Sequence, residues 1–254
     1  MKILITGANG YIGKSLHNAL KDKYDVTAIT RNSFDLTDAT AMYKFFQSRQ
    51  NFDLVLHCAA STNSKDTNWD IADVNLTMYY NLLQFKQHYS KLIHFGSGAE
   101  TYLSDTPYGY SKKVIAKSIL NQDDFYNIKI FGLFDENELD TRFIKANLKR
   151  YIAKEPMQIH QDKVMDFFYM KDLVRVIEYY ASEENPPKEF DCTYNSFYSL
   201  KNIADIINSL DEHKVEINIG KEGKAMYKSN YRSILPIDLI GLEEGIKQVY
   251  SKLK

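Results

Sequence analysis

The chain has 254 residues, and its 32 basic and 33 acidic side chains leave a formal net charge of −1. With no dense Lys/Arg block, it carries no nucleic-acid footprint. The apolar opening, Met1 to Thr6, is too short for a signal peptide, and no stretch approaches the roughly 20 apolar residues of a membrane span, so a cytoplasmic protein is expected.

In chain order, short β-like runs alternate with helical stretches: Lys2 to Thr6, Asp25 to Ile29, Asp53 to His57, Lys91 to Phe95 and Asn127 to Phe131. They are apolar on nearly every residue, as strands covered on both faces should be, and the alternation predicts an α/β fold with a doubly wound parallel sheet. After Phe131 the rhythm loosens. A helix is expected over Thr141 to Ala153, a short strand near Met157, and a helix from Lys171. Pro186-Pro187 breaks the chain, and strand-like Glu189 to Thr193 and Lys214 to Ile219 flank a helix from Leu200 to Leu210. Residues 220–233 show no period and read as loop. The expected organisation is a nucleotide-binding domain over residues 1–135 and a small C-terminal substrate-binding cap over 136–254, interleaved with the last sheet strands. Cys58 and Cys192 stand alone, without metal-ligand spacing, and read as packing residues.

Thr6-Gly7-Ala8-Asn9-Gly10-Tyr11-Ile12-Gly13 joins the first strand to the first helix with the spacing Gly-x-x-Gly-x-x-Gly. Gly7 would permit the tight turn, Gly10 the approach of a pyrophosphate to bare backbone, and Gly13 close helix-to-strand packing. The phosphates of a dinucleotide would sit on the unpaired N–H groups of the helix N-terminus. At the end of the second strand, where NAD-dependent proteins often place an acid about 20 residues beyond the glycines, the chain reads Ile29-Thr30-Arg31-Asn32. A guanidinium without a neighbouring carboxylate at that tip favours NADP(H) over NAD(H), with Arg31 reading the 2′-phosphate.

Tyr108 and Lys112 lie one helical turn apart in Thr106-Pro107-Tyr108-Gly109-Tyr110-Ser111-Lys112. The spacing alone means little among 19 tyrosines, and it recurs at Tyr250 and Lys254, where no preceding strand end places it and a surface residue is expected. Residues four apart on a helix face the same way, so the Lys112 ammonium can lower the Tyr108 phenol pKa and fit it for general acid–base work.

Together these pieces resemble the extended short-chain dehydrogenase/reductases of the nucleotide-sugar epimerase, dehydratase and reductase group. The resemblance runs nearly end to end and rests on the following residues, in order. They are the glycine loop, Asp35-Leu36-Thr37-Asp38, His57-Cys58-Ala59-Ala60, Val74-Asn75-Leu76 and Phe95-Gly96-Ser97-Gly98-Ala99-Glu100. Pro107 to Lys112, Asp166-Phe167-Phe168-Tyr169-Met170-Lys171-Asp172 and Leu242-Glu243-Glu244-Gly245 complete the set. The early Asp-Leu-Thr-Asp is similar to the 4-keto-sugar reductases. The resemblance implies a Rossmann fold, and a cofactor held by Gly7, Asn9, Gly10, Tyr11, Ile12, Gly13, Cys58, Ala59, Ala60 and Asn75, with Lys112 bonding the nicotinamide ribose. It also implies a possible homodimer packed through the helices from about Asp70 and Tyr108.

Two positions depart from the family pattern. Gly98 stands where relatives place a Ser or Thr against the reacting oxygen, leaving Ser97 as the nearest hydroxyl and Glu100, at the position of a dehydratase acid, as a second candidate. Met165 replaces the Arg with which relatives grip nucleotide-sugar phosphates, and Arg142, Lys145 or Lys163 are candidates for that work. His160 has no assigned role and reads as a surface residue. The expected activity is NADP(H)-dependent reduction of a nucleotide-linked 4-keto-6-deoxy sugar, with Tyr108, Lys112, Ser97 and Glu100 as the catalytic candidates. The alternatives are a nucleotide-sugar 4-epimerase with tightly held NAD and a non-catalytic dinucleotide-binding protein. No nucleic-acid or membrane partner is expected.

Overall fold

The computed structural model describes residues 1–48, 51–62, 67–221, 223, 225–232 and 234–254. The first elements are β1 (Lys2–Thr6), α1 (Tyr11–Leu20), β2 (Asp25–Ile29), α2 (Ala39–Gln47), β3 (Phe52–His57) and α3 (Asp70–Gln84). Then come β4 (Tyr89–Ser97), α4 (Ala99–Tyr102), α5 (Pro107–Ile119), β5 (Phe125–Ile130) and β6 (Leu133–Phe134). The remainder holds α6 (Phe143–Ile152), β7 (Met157–Ile159), β8 (Lys163–Met165), β9 (Phe168–Tyr169) and α7 (Met170–Ser182). It ends with β10 (Glu189–Asp191), α8 (Leu200–Asn208), β11 (Ile217–Ile219), β12 (Ala225–Tyr227) and α9 (Leu242–Leu253).

Two compact units result, one of Met1–Lys129 with Glu178–Phe190, the other of Ile130–Ile177 with Asp191–Lys254. The first stretch thus closes a few residues before the boundary expected at 135. The 178–190 segment returns to the first unit because β10 completes its sheet beside β5.

In the first unit a six-stranded sheet has the order β10-β5-β4-β3-β1-β2, with β2, β1, β3 and β4 paired in parallel. Ile3, Leu4, Ile5, Leu54, Val55 and Leu56 are all buried, which explains why these strands read as unbroken apolar runs. The strand order reverses direction about β1, with β2 on one side and β3 on the other, so a crevice opens beyond their carboxyl ends. Asp38 of the Asp-Leu-Thr-Asp motif caps α2, accepting from the N–H groups of Thr40 and Ala41. Helices α3 and α5 pack on the sheet through Met78, Tyr79, Leu82, Ile115 and Ile119.

The second unit has its own core, in which Ile144, Leu148 and Tyr151 of α6 meet Ile203 and Ile207 of α8 and Ile246 and Val249 of α9. Ser199 and Asn202 form a reciprocal capping box at the start of α8. Two expectations are corrected here. Tyr250 is buried, not a surface residue: Leu242, Ile246, Val249 and Tyr250 share one face of α9, and its hydroxyl bonds Asp211. Residues 220–233 are not all loop either, for Ala225–Tyr227 pairs in parallel with Lys163–Met165. Three residues are too few to display a strand period, and Glu222, Lys224 and Ser233 lie outside the described residues.

Candidate active site

At the crevice in the first unit, Gly7 adopts φ +66, and a Cβ there would meet the Ala59 backbone at 2.6 Å. Only glycine lets the turn pass that close to the residue following β3. A Cβ on Gly13 would lie 2.4 Å from the Gly7 carbonyl, so α1 can start against the loop only because that side chain is missing. Gly10 is the N-cap of α1 and makes no side-chain cap bond, and the first turn holds no acidic residue to compete with an anion at the helix N-terminus.

A cavity of about 380 Å³ lies over this turn, walled by Gly7, Asn9, Gly10, Arg31, Asp35, Cys58, Ala59 and Ala60 among others. Seven of the residues expected to hold the cofactor therefore meet in one place, while Tyr11, Ile12 and Gly13 form the first turn of α1. The cradle fits a dinucleotide: bare backbone at the glycines, a helix N-terminus for its phosphates, and a guanidinium at the rim. Asp35, which sequence reading left without a role, shares the wall with Arg31. Its carboxylate accepts from the Thr37 N–H and hydroxyl, each at 2.9 Å, and these bonds with the nearby Arg31 charge hold it below the usual carboxylate range.

Asn75 supports the same crevice from α3. Its side-chain oxygen accepts from Ser61 N–H at 2.7 Å, while its amide nitrogen donates to the Ser61 carbonyl and to Ser111 Oγ, both at 3.1 Å. One buried amide thus ties the segment after β3 to helix α5.

Helix α5 begins at Pro107, with Thr106 Oγ1 accepting from Gly109 N–H at 3.2 Å. This cap fixes where Tyr108 and Lys112 leave the helix. The half-buried Tyr108 ring has the Lys112 ammonium 5.9 Å from its centroid, confirming the shared face that the four-residue spacing predicts. Lys112 is buried, and its ammonium donates to the Phe95 carbonyl at 2.6 Å and lies 3.4 Å from His94 Nε2. Burial brings its pKa down to about 8, against the opposing pull of the Glu100 charge.

Ser97 ends β4, with its hydroxyl oxygen accepting from Ala99 N–H at 3.2 Å. Glu100 is buried and turned back on the strand, one oxygen accepting from Ser97 N–H at 2.9 Å and the other 3.3 Å from Lys129 Nζ. Burial raises its pKa, and Lys129 opposes the rise. Sequence reading missed Lys129 and the pair His57 and His94, which are opposite each other in the β3–β4 register with ring centroids 5.5 Å apart. Such cross-strand neighbours leave no mark in a linear motif.

The second unit contains a cleft of about 530 Å³ lined by Arg142, Arg150, Lys163 and His160 with Gln158, Met165 and others, but no carboxylate. Arg142 and Lys163 were singled out by sequence; Arg150 was not. His160 is exposed and lines this cleft. Lys145 instead spends its ammonium on Asp140 at 2.9 Å and on the Glu138 carbonyl at 2.7 Å. Among the described residues no group of three or more His, Cys, Asp or Glu side chains is arranged to hold a metal, and no helix is long and apolar enough to cross a membrane.

A glycine-floored cradle at the switch point of a parallel sheet, with a Tyr–Lys pair on a capped helix beside it, defines a dinucleotide-dependent enzyme of the extended short-chain dehydrogenase/reductase class. The chain belongs to the NAD dependent epimerase/dehydratase family, whose pattern matches residues 3–195. It is 23% identical to the CDP-abequose synthase of Yersinia pseudotuberculosis over 87% of this chain and 88% of that one. It is 25% identical to the Bacillus subtilis spore coat polysaccharide biosynthesis protein SpsK over 69% and 68%. In fold it resembles the Bacillus cereus UDP-glucuronic acid 4-epimerase, solved with NAD, with a TM-score of 0.75 at 19% identity over 99% and 98% of the two chains. It also resembles the Campylobacter jejuni GDP-mannoheptose C4 reductase, solved with NADP, at 0.74 and 18% over 98% and 97%.

Proposed function

We propose that the protein reduces a keto group, at the 4-position of a nucleotide-linked 6-deoxy sugar, with NADP(H) as the redox partner. The observation that carries this reading is the Tyr108–Lys112 pair, set by a capped helix beside the end of β4 with the ammonium already desolvated. A bound reduced nicotinamide would supply hydride to the carbonyl carbon. Tyr108 donates its phenolic proton to the carbonyl oxygen, and the Lys112 charge favours the phenolate left behind. The Ser97 hydroxyl is the group at the strand end with a proton to offer that oxygen, because both Glu100 oxygens are engaged by Ser97 N–H and Lys129. Arg31 would read the 2′-phosphate.

The cations of the second unit suit a diphosphate. Arg142, Arg150 and Lys163 converge on one cleft without an acid among its lining residues, and they would take over the grip that Met165 cannot provide. The relatives named for CDP-abequose synthesis and GDP-mannoheptose C4 reduction support this class of substrate.

The test is to follow NADPH absorbance with a panel of nucleotide-linked 4-keto sugars, in the wild type and in Tyr108→Phe. The variant is expected to lose turnover by about 10²-fold to 10⁴-fold, the usual contribution of a positioned acid, while binding NADPH as before. Unchanged turnover would remove Tyr108 from the chemistry. Asp35 in the cavity wall favours a second reading, since a carboxylate there can accept from ribose hydroxyls of NAD. A 4-epimerase of that kind would purify with NAD bound and interconvert sugars without consuming NADPH.

A further inference from the structure

His94 sits in the interior of β4 between Ile93 and Phe95, where an apolar residue would meet no polar demand. Its imidazole is fully enclosed. One nitrogen, Nδ1, is buried without a hydrogen-bond partner among the described residues, whereas the other, Nε2, faces the Lys112 ammonium at 3.4 Å. The groups packed around it are Lys112 of α5, His57 of β3, whose ring centroid is 5.5 Å away, and Tyr79 of α3, at 6.3 Å. Glu100 acts on Lys112 through its charge, whereas burial pushes the Cys58 thiol up and keeps it protonated. His57 Nδ1 is itself 3.0 Å from Thr6 Oγ1, which also accepts from Ala59 N–H at 3.3 Å.

Burial, reinforced by the Lys112 charge, keeps both imidazoles neutral: His57 is pushed down to about 3, and His94 shifts in the same direction. A neutral imidazole donates from one nitrogen and accepts at the other. Since an ammonium only donates, Nε2 must be the acceptor toward Lys112 and the proton must sit on Nδ1, the nitrogen left unpaired. An unpaired buried donor costs stability, so the arrangement makes sense only if the acceptor on the far side is needed.

We propose that His94 is a positioning residue for the reacting pair: with the Phe95 carbonyl it holds two of the three Lys112 N–H groups, leaving the third for the cofactor ribose or Tyr108. This inference rests on the role given to Lys112 above. The same contact stabilises the charged form of Lys112 in a site where burial works against it. Removing the acceptor should therefore lower the Lys112 pKa, and whatever needs the ammonium should fail at a lower pH.

Two pH series on the full chain, the affinity of the cofactor-free protein for NADPH and kcat/KM for reduction, compare the wild type with His94→Leu and His94→Gln. Gln carries an acceptor at about the reach of Nε2. In His94→Leu the alkaline limb of both series is expected to move down by about one pH unit, the scale of one hydrogen bond to a charged group, with kcat/KM at pH 8 about fivefold lower. His94→Gln should restore most of both. Unshifted limbs in His94→Leu, or a loss that Gln does not repair, would overturn the proposal. If His94→Leu does not fold, His94→Asn, whose oxygen falls short of Lys112, replaces it, and identical limbs in Asn and Gln would be the overturning result. The affinity series needs no turnover. A wild type that reduces no sugar therefore fails the reductase reading, while the limb in NADPH binding still decides His94.

Discussion

Arg31 and Asp35 place opposite charges on one cavity wall, and what each can offer a ligand differs. Asp35 already accepts two bonds from Thr37 at one carboxylate oxygen, whereas Arg31, exposed two residues beyond β2, brings a positive charge to the same wall. A 2′-phosphate carries nearly two negative charges and three acceptor oxygens, so it gains from a planar guanidinium what a ribose hydroxyl cannot. Arg31→Asp should therefore weaken NADPH by about tenfold to a hundredfold, since a charge-assisted contact is worth roughly 1.5–3 kcal/mol, and should leave NADH within a few-fold. Fluorescence titration of both cofactors against both proteins measures this. If NADPH and NADH bound equally to the wild type, Arg31 would not be the reader of the phosphate.

At the scale of elements, the site depends on how three helices are fastened to the sheet. Helix α1 is aimed by the glycine turn, α5 by Thr106 and Pro107, and α3 through the Asn75 amide that bridges Ser61 and Ser111. Asn75→Leu fills the same space but leaves the Ser61 N–H and carbonyl without that partner. It should cost about 2–3 kcal/mol in urea unfolding and weaken NADPH binding, because the Cys58–Ser61 segment would no longer be held at the crevice. An unchanged midpoint would show that Asn75 is not the fastening. The glycine turn was legible in the sequence because its spacing is local, whereas Asn75 entered only through the family resemblance. What escaped reading depends on register or on distant faces. His57 meets His94 only because β3 and β4 pair where they do, Lys129 reaches Glu100 from another strand, and Tyr250 is buried by a helix face that one unaligned Tyr-x-x-x-Lys did not reveal. Arg150 joined the cationic cleft for the same reason, as about two turns of α6 separate it from Phe143 and return it to the same face.

Across the whole molecule, the buried ionisable groups give the two units opposite responses to pH. In the first, His57 has its pKa pushed down to about 3 by burial, and His94 follows in direction. A histidine depressed in the folded state contributes stability above its unfolded pKa of about 6.5, and this is lost as pH falls toward the folded value. The raised pKa of Glu100 works against that loss. In the second unit Glu138 is pushed up to about 8, chiefly by burial, and Asp166 is also raised by burial. For a raised carboxyl the sign reverses, with stability greatest below the unfolded pKa and lost as pH rises through the folded one. Moving from pH 7.5 to 5.5 should thus weaken the first unit by about 1–3 kcal/mol and strengthen the second by a similar amount, at about 1.4 kcal/mol per proton per pH unit. Native-state hydrogen exchange resolves the two, because each amide reports its own opening free energy once intrinsic exchange rates are corrected for pH. Protection in β3 and β4 should fall while that in α6 and α8 rises. Parallel changes in both units would mean that the histidines and Glu138 do not govern the response, and His57→Asn, which cannot titrate, should flatten the loss in β3.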